Sequence, residues 1–238
     1  EGLEKGNPVY EFFNKEGREN RDFSGALAFT DARLLLFPVK SYKGVFALVT
    51  CPNVLKKLYN ELNFVCNPKV VFPSTDFSDL GNKVAISDDK FLKISDKVIL
   101  DEYAFEVHPT LSSTAKIIAT ALKTLTGQDD IEKRLVILPD DVFRDFTKLS
   151  TEVITRTKIQ NDTGTVQSGA LFTEEYLPSE SVMYSLVLAH QEFRKGSSFT
   201  ANEVLNFFGE NLNEIVQIGG SATIGKGLVR TGKSLLKT

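Results

Sequence analysis

Gln217-Ile218-Gly219-Gly220-Ser221-Ala222-Thr223-Ile224-Gly225-Lys226-Gly227-Leu228-Val229-Arg230 is a glycine-rich stretch whose only charges are basic. Closely spaced glycines let backbone N–H groups approach a phosphate, and neighbouring cations bind its charge. Gly219, Gly220, Gly225 and Gly227 give room, while Thr223, Lys226 and Arg230 add donors. Such a loop suits a sugar–phosphate track whose bases are not read. The plainer alternative is a tight turn between two core strands with Lys226 in solvent. From Gly227 the chain also matches G-x-x-x-x-G-K-[ST] through Lys233-Ser234. A P-loop needs a helix directly after the Lys-Ser, to bind phosphate at its N-terminus. It also needs later strands for a magnesium-binding acid. Only Leu235 to Thr238 follow, about one helical turn. Nucleotide binding is therefore kept only as an alternative.

A second constellation is Glu174-Glu175-Tyr176. Two carboxylates and a phenol could place a metal, a water or a proton acceptor near a phosphodiester. On a strand, Glu174 and Tyr176 share a side and Glu175 does not. The alternative is a salt bridge supporting the base of a hairpin. Arg156 and Lys158 share a face with Ile154, where they could meet phosphates while Ile154 or Val166 wedges against bases. Lys40-Ser41, after Pro38, is a further candidate backbone contact. Asp31 and Arg33 fall on one strand face, where an internal ion pair is the default.

Composition excludes several classes. Net charge is −3, from 28 Lys and Arg against 31 Asp and Glu, which rules out a bulk-basic nucleic-acid binder. A local basic surface remains open: after Glu214 no acid follows, while Lys226, Arg230, Lys233 and Lys237 do. A frayed basic tail is the competing reading. Cys51, Cys66, His108 and His190 lack metal-ligand spacing. Few cysteines fit a reducing cytosol. His190 reads as packed, and His108 before Pro109 as part of a turn. No run of about 18 apolar residues or signal peptide is present, so no membrane partner is expected.

The elements that must position these residues follow from periodicity. Gly25 to Phe37, interrupted by Pro38, and Val45 to Val49 read as adjacent buried strands. A helix starts near Thr50, with Leu55, Leu58, Tyr59 and Leu62 on one face. Residues 66–96 read as an irregular insertion, and 1–22 as a mobile leading segment. Val98 to Val107 reads as one strand, then a helix capped by Ser112 or Ser113 runs to Gly127. Leu135 to Leu138 is a short strand, and Asp140 or Asp141 caps the next helix. Residues 151–172 form a hairpin around Asn161-Asp162-Thr163-Gly164. Val182 to His190 reads as a buried strand, and Thr200 with Glu203 as a capping box. The class is α+β, a sheet with helices mainly on one face.

Five segments in this order resemble a known family. They are Ser24-Gly25-Ala26-Leu27 with Thr30 to Ser41; Lys43-Gly44-Val45-Phe46 with Val49-Thr50-Cys51-Pro52; Leu138-Pro139-Asp140-Asp141-Val142-Phe143; Gly169 to Pro178; and the glycine loop. The chain resembles the backbone subunit, subunit four, of type III-B CRISPR Cmr effector complexes, in the RAMP superfamily. The resemblance spans nearly all of residues 22–230. It implies a ferredoxin-like or RRM-like core with insertions and a protruding hairpin thumb at 151–172. It also implies a single RAMP-type domain over 1–238 that lacks the family's N-terminal segment.

Further copies would stack on CRISPR RNA in the cytoplasm beside other Cmr subunits, each thumb wedging into the guide–target duplex. Target RNA would be cleaved at regular intervals with a divalent metal, Mg²⁺. The family's cleavage aspartate and its Gly-Ser-Ser-Leu-Lys-Gly type loop lie upstream of this sequence. Within it, Glu174 and Tyr176 are the catalytic candidates. The RNA-binding candidates are the glycine loop, Arg156, Lys158, Lys40 and Ser41. A scaffold that binds RNA and cleaves nothing is the other reading.

Overall fold

Val45–Thr50 (β3) is apolar on both sides, and that decides the architecture. Ala47 and Val49 enter one buried cluster and Leu48 the other, so both faces of the strand must be covered. The computed structural model describes residues 24–64, 72–73, 76–192 and 199–232. The leading segment, Cys66 and the Lys233-Ser234 pair lie outside the described residues.

Leu27–Phe29 (β1) precedes Arg33–Ser41 (β2), which pairs antiparallel with β3. The expected interruption at Pro38 does not occur: Pro38 stands opposite Leu48 inside the ladder. On the other edge of β2, Arg33, Leu34 and Leu36 meet one strand and only Ser41 meets another. Pro38 lies between those contacts, where its missing N–H is tolerated.

Helix α1 (Pro52–Phe64) follows and buries Leu55, Leu58 and Leu62, as the spacing predicts. Its Glu61 takes the ion pair with Arg33 that was expected from Asp31. Asp31 falls outside β1 and β2 and is exposed.

The described part of 66–96 is more regular than its composition suggests. It holds Ala85–Ile86 (β4), Asp89–Leu92 (α2) and Lys93–Ile94 (β5). Val84, Ala85, Ile86 and Leu92 are fully buried, so this segment builds part of the core.

The single strand read at 98–107 is a hairpin, Lys97–Leu100 (β6) and Tyr103–Glu106 (β7), turning at Asp101 with φ of 53°. Helix α3 (Leu111–Thr126) has Thr110 at its N-terminal cap position, not Ser112 or Ser113. The His108 imidazole accepts from the Leu111 amide at 3.3 Å, so a ring from the preceding turn caps it. Gly127, with φ of 73°, closes the helix as expected.

Ile131–Arg134 (α4) leads into Leu135–Ile137 (β8), parallel to β3. Asp140 and Asp141 lie in the first turn of α5 (Asp140–Leu149), and Pro139 takes the cap position. Asp140 instead accepts from the Asn53 amide at 3.0 Å, tying α5 to α1.

The core sheet runs β4-β8-β3-β2-β6-β5, with β7 on β6 and Val182–Tyr184 (β11) on β2. Helices α1, α3 and α4 pack on one face; α2 and α5 contribute to the other. The expected α+β class with most helix on one side holds.

The strand read at 182–190 breaks in two, because Val187–Ala189 (β12) leaves to pair with β1. His190 is exposed, not packed. Helix α6 (Ala201–Asn211) carries the capping box: the Glu203 amide donates to Thr200 Oγ1, and the Thr200 amide to Glu203 Oε2 at 2.7 Å. Two further hairpins stand apart from the core sheet. Among the described residues, no helix is long and apolar enough to cross a membrane.

Candidate nucleic-acid interface

The first outlying hairpin, Glu152–Ile159 (β9) with Val166–Tyr176 (β10), covers the segment read as the thumb and keeps that name; its second strand runs on to Tyr176, past the expected end at Phe172. Its register sets Tyr176 opposite Glu152, Glu174 opposite Ile154 and Phe172 opposite Arg156. Period-two alternation therefore gathers these six residues on one face. There, Arg156 Nε lies 2.5 Å from Glu174 Oε2. The contact is an ion pair between side chains only 28% and 31% exposed.

The Tyr176 hydroxyl donates to the same Glu174 oxygen at 2.6 Å. That bond, helped by desolvation and opposed by the Arg156 charge, holds the phenol above its ordinary pKa. Tyr176 is therefore a protonated donor at neutral pH. Glu175 points to the opposite face, where it accepts from Thr151 Oγ1 at 2.7 Å. Its neighbours there are Val153, Thr155, Thr157, Leu171 and Thr173. Lys158 is exposed towards the hairpin tip.

The second hairpin, Ile215–Gln217 (β13) with Leu228–Arg230 (β14), carries the glycine loop. The strand at Leu228–Arg230 occupies the space between the two P-loop glycines, so this stretch is not a phosphate loop of that type. The Ile218 amide donates to Gly227 O at 2.9 Å and closes the loop's neck. Gly227 has φ of 75°, and a Cβ there would run into Ile218 O. Ala222–Ile224 makes one 3-10 turn, and the Ile224, Gly225 and Lys226 amides are spent on it and on Ser221 O. Gly219, Gly220, Thr223 and Gly225 are exposed. A methyl group on Gly220 would meet nothing within 4 Å.

Lys226 joins the two hairpins. Its Nζ lies 3.3 Å from Glu152 Oε2 and 4.2 Å from the centre of the Tyr176 ring. The Ser221 side chain opposes part of the rise in the phenol's pKa.

Of the residues singled out from sequence, Arg156, Glu174, Tyr176 and Lys226 thus form one cluster. Arg230 is paired elsewhere, 3.7 Å from Glu214, with both side chains more than two-thirds exposed. Lys40 and Ser41 belong to the β2–β3 tip. Lys40 is exposed, but Ser41 is buried and donates to Lys43 O at 2.7 Å.

Glu152 is the member that sequence reasoning missed; it becomes visible once the hairpin register is known, because it stands opposite Tyr176. Among the described residues no group of three or more His, Cys, Asp or Glu is placed to hold a metal ion.

A family model described as the RAMP superfamily matches residues 3–230. The chain is 34% identical over 225 residues to the CRISPR system Cmr endoribonuclease Cmr4 of Pyrococcus furiosus, covering 93% of this chain and 74% of that protein. It is 28% identical over 236 residues to the CRISPR system CMR subunit Cmr4 of Saccharolobus solfataricus, covering 89% and 72%. The crystal structure of oligomeric Cmr4 from Pyrococcus furiosus superposes with a TM-score of 0.68 at 30% identity, over 87% of this chain and 72% of that one. A chain of the type III-B Cmr-beta complex bound to cognate target RNA gives 0.64 at 22% identity, over 93% and 74%, a likeness of fold.

Proposed function

The chain belongs to the RAMP superfamily, in the family of Cmr subunit four, and from that membership we propose that it is a CRISPR-RNA-binding filament subunit of an RNA-guided effector complex. Its partners are CRISPR RNA, target RNA, further copies of itself and other Cmr subunits, in the cytoplasm. The observation that carries the reading is the meeting of the glycine loop with the thumb base, through Lys226, Glu152 and Tyr176. An exposed loop of main chain and cations lies beside a protonated phenol and a neutralised carboxylate. Guide sequence varies, so a filament subunit must grip backbone and leave the bases alone. The Gly219 and Gly220 amides lie ahead of the internal turn and meet the phosphate; Thr223, Lys226, Arg230, Arg156, Lys158 and Lys40 add donors. The buried Ser41 hydroxyl enters only if the β2–β3 tip rearranges.

For cleavage, the 2′-hydroxyl beside the scissile phosphate attacks phosphorus and gives its proton to Glu174, while Tyr176 turns its O–H from Glu174 and protonates the departing 5′ oxygen as the P–O bond breaks. Arg156 neutralises Glu174, which lets a phosphodiester approach. The Mg²⁺ that the resemblance implies finds no donor set among the described residues. Glu174 is already engaged by Arg156 and Tyr176. Removal of the metal is part of the test.

Complementary RNA is added to the assembled guide complex with Mg²⁺ or with a chelator. Regularly spaced fragments are expected, lost on chelation, and slowed about 100-fold or more by Tyr176→Phe if the phenol is the general acid. Intact target in the parent complex would sink the nuclease reading.

A second reading, the non-cleaving scaffold, is favoured by one observation: the described carboxylates and cations of the cluster neutralise one another. Both readings require the loop to bind RNA. Lys226→Ala with Arg230→Ala should weaken single-stranded RNA binding equally across sequences. Two lost contacts lower the salt slope by about 1.4, at about 0.7 each on a single strand.

A further inference from the structure

We infer that Lys226 and Glu152 form a latch between the glycine-rich hairpin and the thumb base, which an RNA phosphate opens by taking the place of the Glu152 carboxylate. The inference rests on the RNA-backbone reading of the loop and concerns how that site is regulated.

Lys226 is the half-buried member of a loop whose other residues, 217–230, are nearly all exposed. Its ammonium sits between the Glu152 carboxylate and the Tyr176 ring face. A lysine held this way does not present its charge freely to a ligand. Two further cations are in the same position: Arg156 is paired with Glu174, and Arg230 with Glu214. At these three positions a cation carries its own acid at rest, and phosphate binding there is an exchange of partners.

Two features make Lys226 the place where exchange is easiest. Its pair with Glu152 is partly solvated, with side chains 28% and 41% exposed. Pairs of that kind are weak, so a phosphate offering charge-assisted bonds competes well. Lys226 is also flanked by Gly225 and Gly227, both with φ of 75°. Neither neighbour has a side chain to obstruct a swing of the lysine. The swing uncovers the Tyr176 ring and removes a charge from beside the Tyr176–Glu174 bond. Loading of the loop is thereby reported to the thumb base, where the duplex would be met.

The test is a double-mutant cycle on the full chain, read as affinity for a labelled mixed-sequence single-stranded RNA at fixed low salt. Glu152→Gln removes the competing charge and keeps the shape. It should tighten binding about three- to fivefold, the equivalent of releasing one exposed ion pair. In a Lys226→Ala background the same change should do nothing. Glu175→Gln removes an equal charge from the opposite face of the hairpin and measures the general electrostatic gain, which should be smaller. Glu152→Ala repeats the measurement should the glutamine variant fold poorly.

Tightening that depends on Lys226 and exceeds the Glu175→Gln gain supports the latch. Weaker binding in Glu152→Gln, or an equal gain without Lys226, overturns it and leaves the RNA reading standing. Unchanged binding in Lys226→Ala alone overturns the RNA reading itself, and the latch with it.

Discussion

The core sheet and the two outlying hairpins are built on opposite terms. Leu36, Phe37, Ala47 and Val49 have no exposed surface, and apolar groups meet them on both sides of the sheet. In the thumb and the glycine hairpin, Val153, Leu171, Ile218 and Leu228 are each 60% exposed or more. What ties those hairpins to each other is Lys226 with Glu152 and Tyr176. Burial on the first scale is worth kilocalories per side chain. Exposed ion pairs are worth about 0–1 kcal/mol. The molecule therefore keeps its site on elements that can shift without unfolding the sheet.

The sharpest way to break this contrast is a core truncation. Leu36→Ala should cost about 2–5 kcal/mol of unfolding free energy. The folded fraction should bind RNA as before. A Leu36→Ala protein of parental stability, measured by denaturant titration, would mean that the sheet is not the seat of stability.

Gly227→Ala is the next largest and acts on the other region. The left-handed backbone and the collision with Ile218 O oppose any side chain at this neck. The local cost is about 1–3 kcal/mol, expressed as a disordered loop and loss of RNA binding, with little change in the main unfolding transition. Gly220→Ala is the paired control, because its methyl would have open space. If Gly220→Ala keeps the fold and still weakens RNA binding, the loss reports close approach of the polynucleotide.

The same contrast explains what could be read in advance. Helix α1 was legible because Leu55, Leu58 and Leu62 repeat at helical spacing and are all buried. The thumb was legible because its strands alternate and its turn holds Gly164, with φ of 66°. Elements failed where pairing partners, not local pattern, decide the outcome. Pro38 looked like a strand end but lies between contacts to two different strands on one edge of β2. Residues 182–190 looked continuous, but β11 and β12 serve different sheets. The site was half visible. Glycines and cations advertise themselves, whereas the Lys226–Glu152 contact joins residues 74 apart and leaves no local trace.

Helix α6 lies between the two regimes and refines the comparison. It buries no residue fully, and Phe208 meets Phe29 edge-on at 5.3 Å. Its start depends on the Thr200–Glu203 capping box, so Thr200→Ala should cost about 1 kcal/mol. The bonds from Thr200 hold the Glu203 carboxyl below its ordinary pKa. A depressed carboxylate stabilises the fold above its unfolded pKa, and that contribution fades as pH falls through the folded value. The difference between parent and Thr200→Ala should therefore shrink in acid. A difference that stays constant down to the lowest pH at which the protein folds would mean that the box is not formed.

Arg230→Ala has the smallest expected effect on stability and separates the regions most cleanly. The Arg230 guanidinium is 71% exposed and lies 3.7 Å from an equally exposed Glu214, too loose a pair to hold β14 in place. Thr231 secures that strand instead, its amide donating to Glu214 O at 2.8 Å and its hydroxyl to Asn213 O at 2.7 Å. Removing Arg230 should leave the unfolding transition where it is. RNA affinity should fall uniformly across sequences, with the salt slope smaller by about 0.7. A loss confined to particular sequences would mean that Arg230 touches bases, and the loop would then read letters. A stability loss with no change in RNA binding would make Arg230 part of the scaffold and move the boundary between the two regions inward to Lys226.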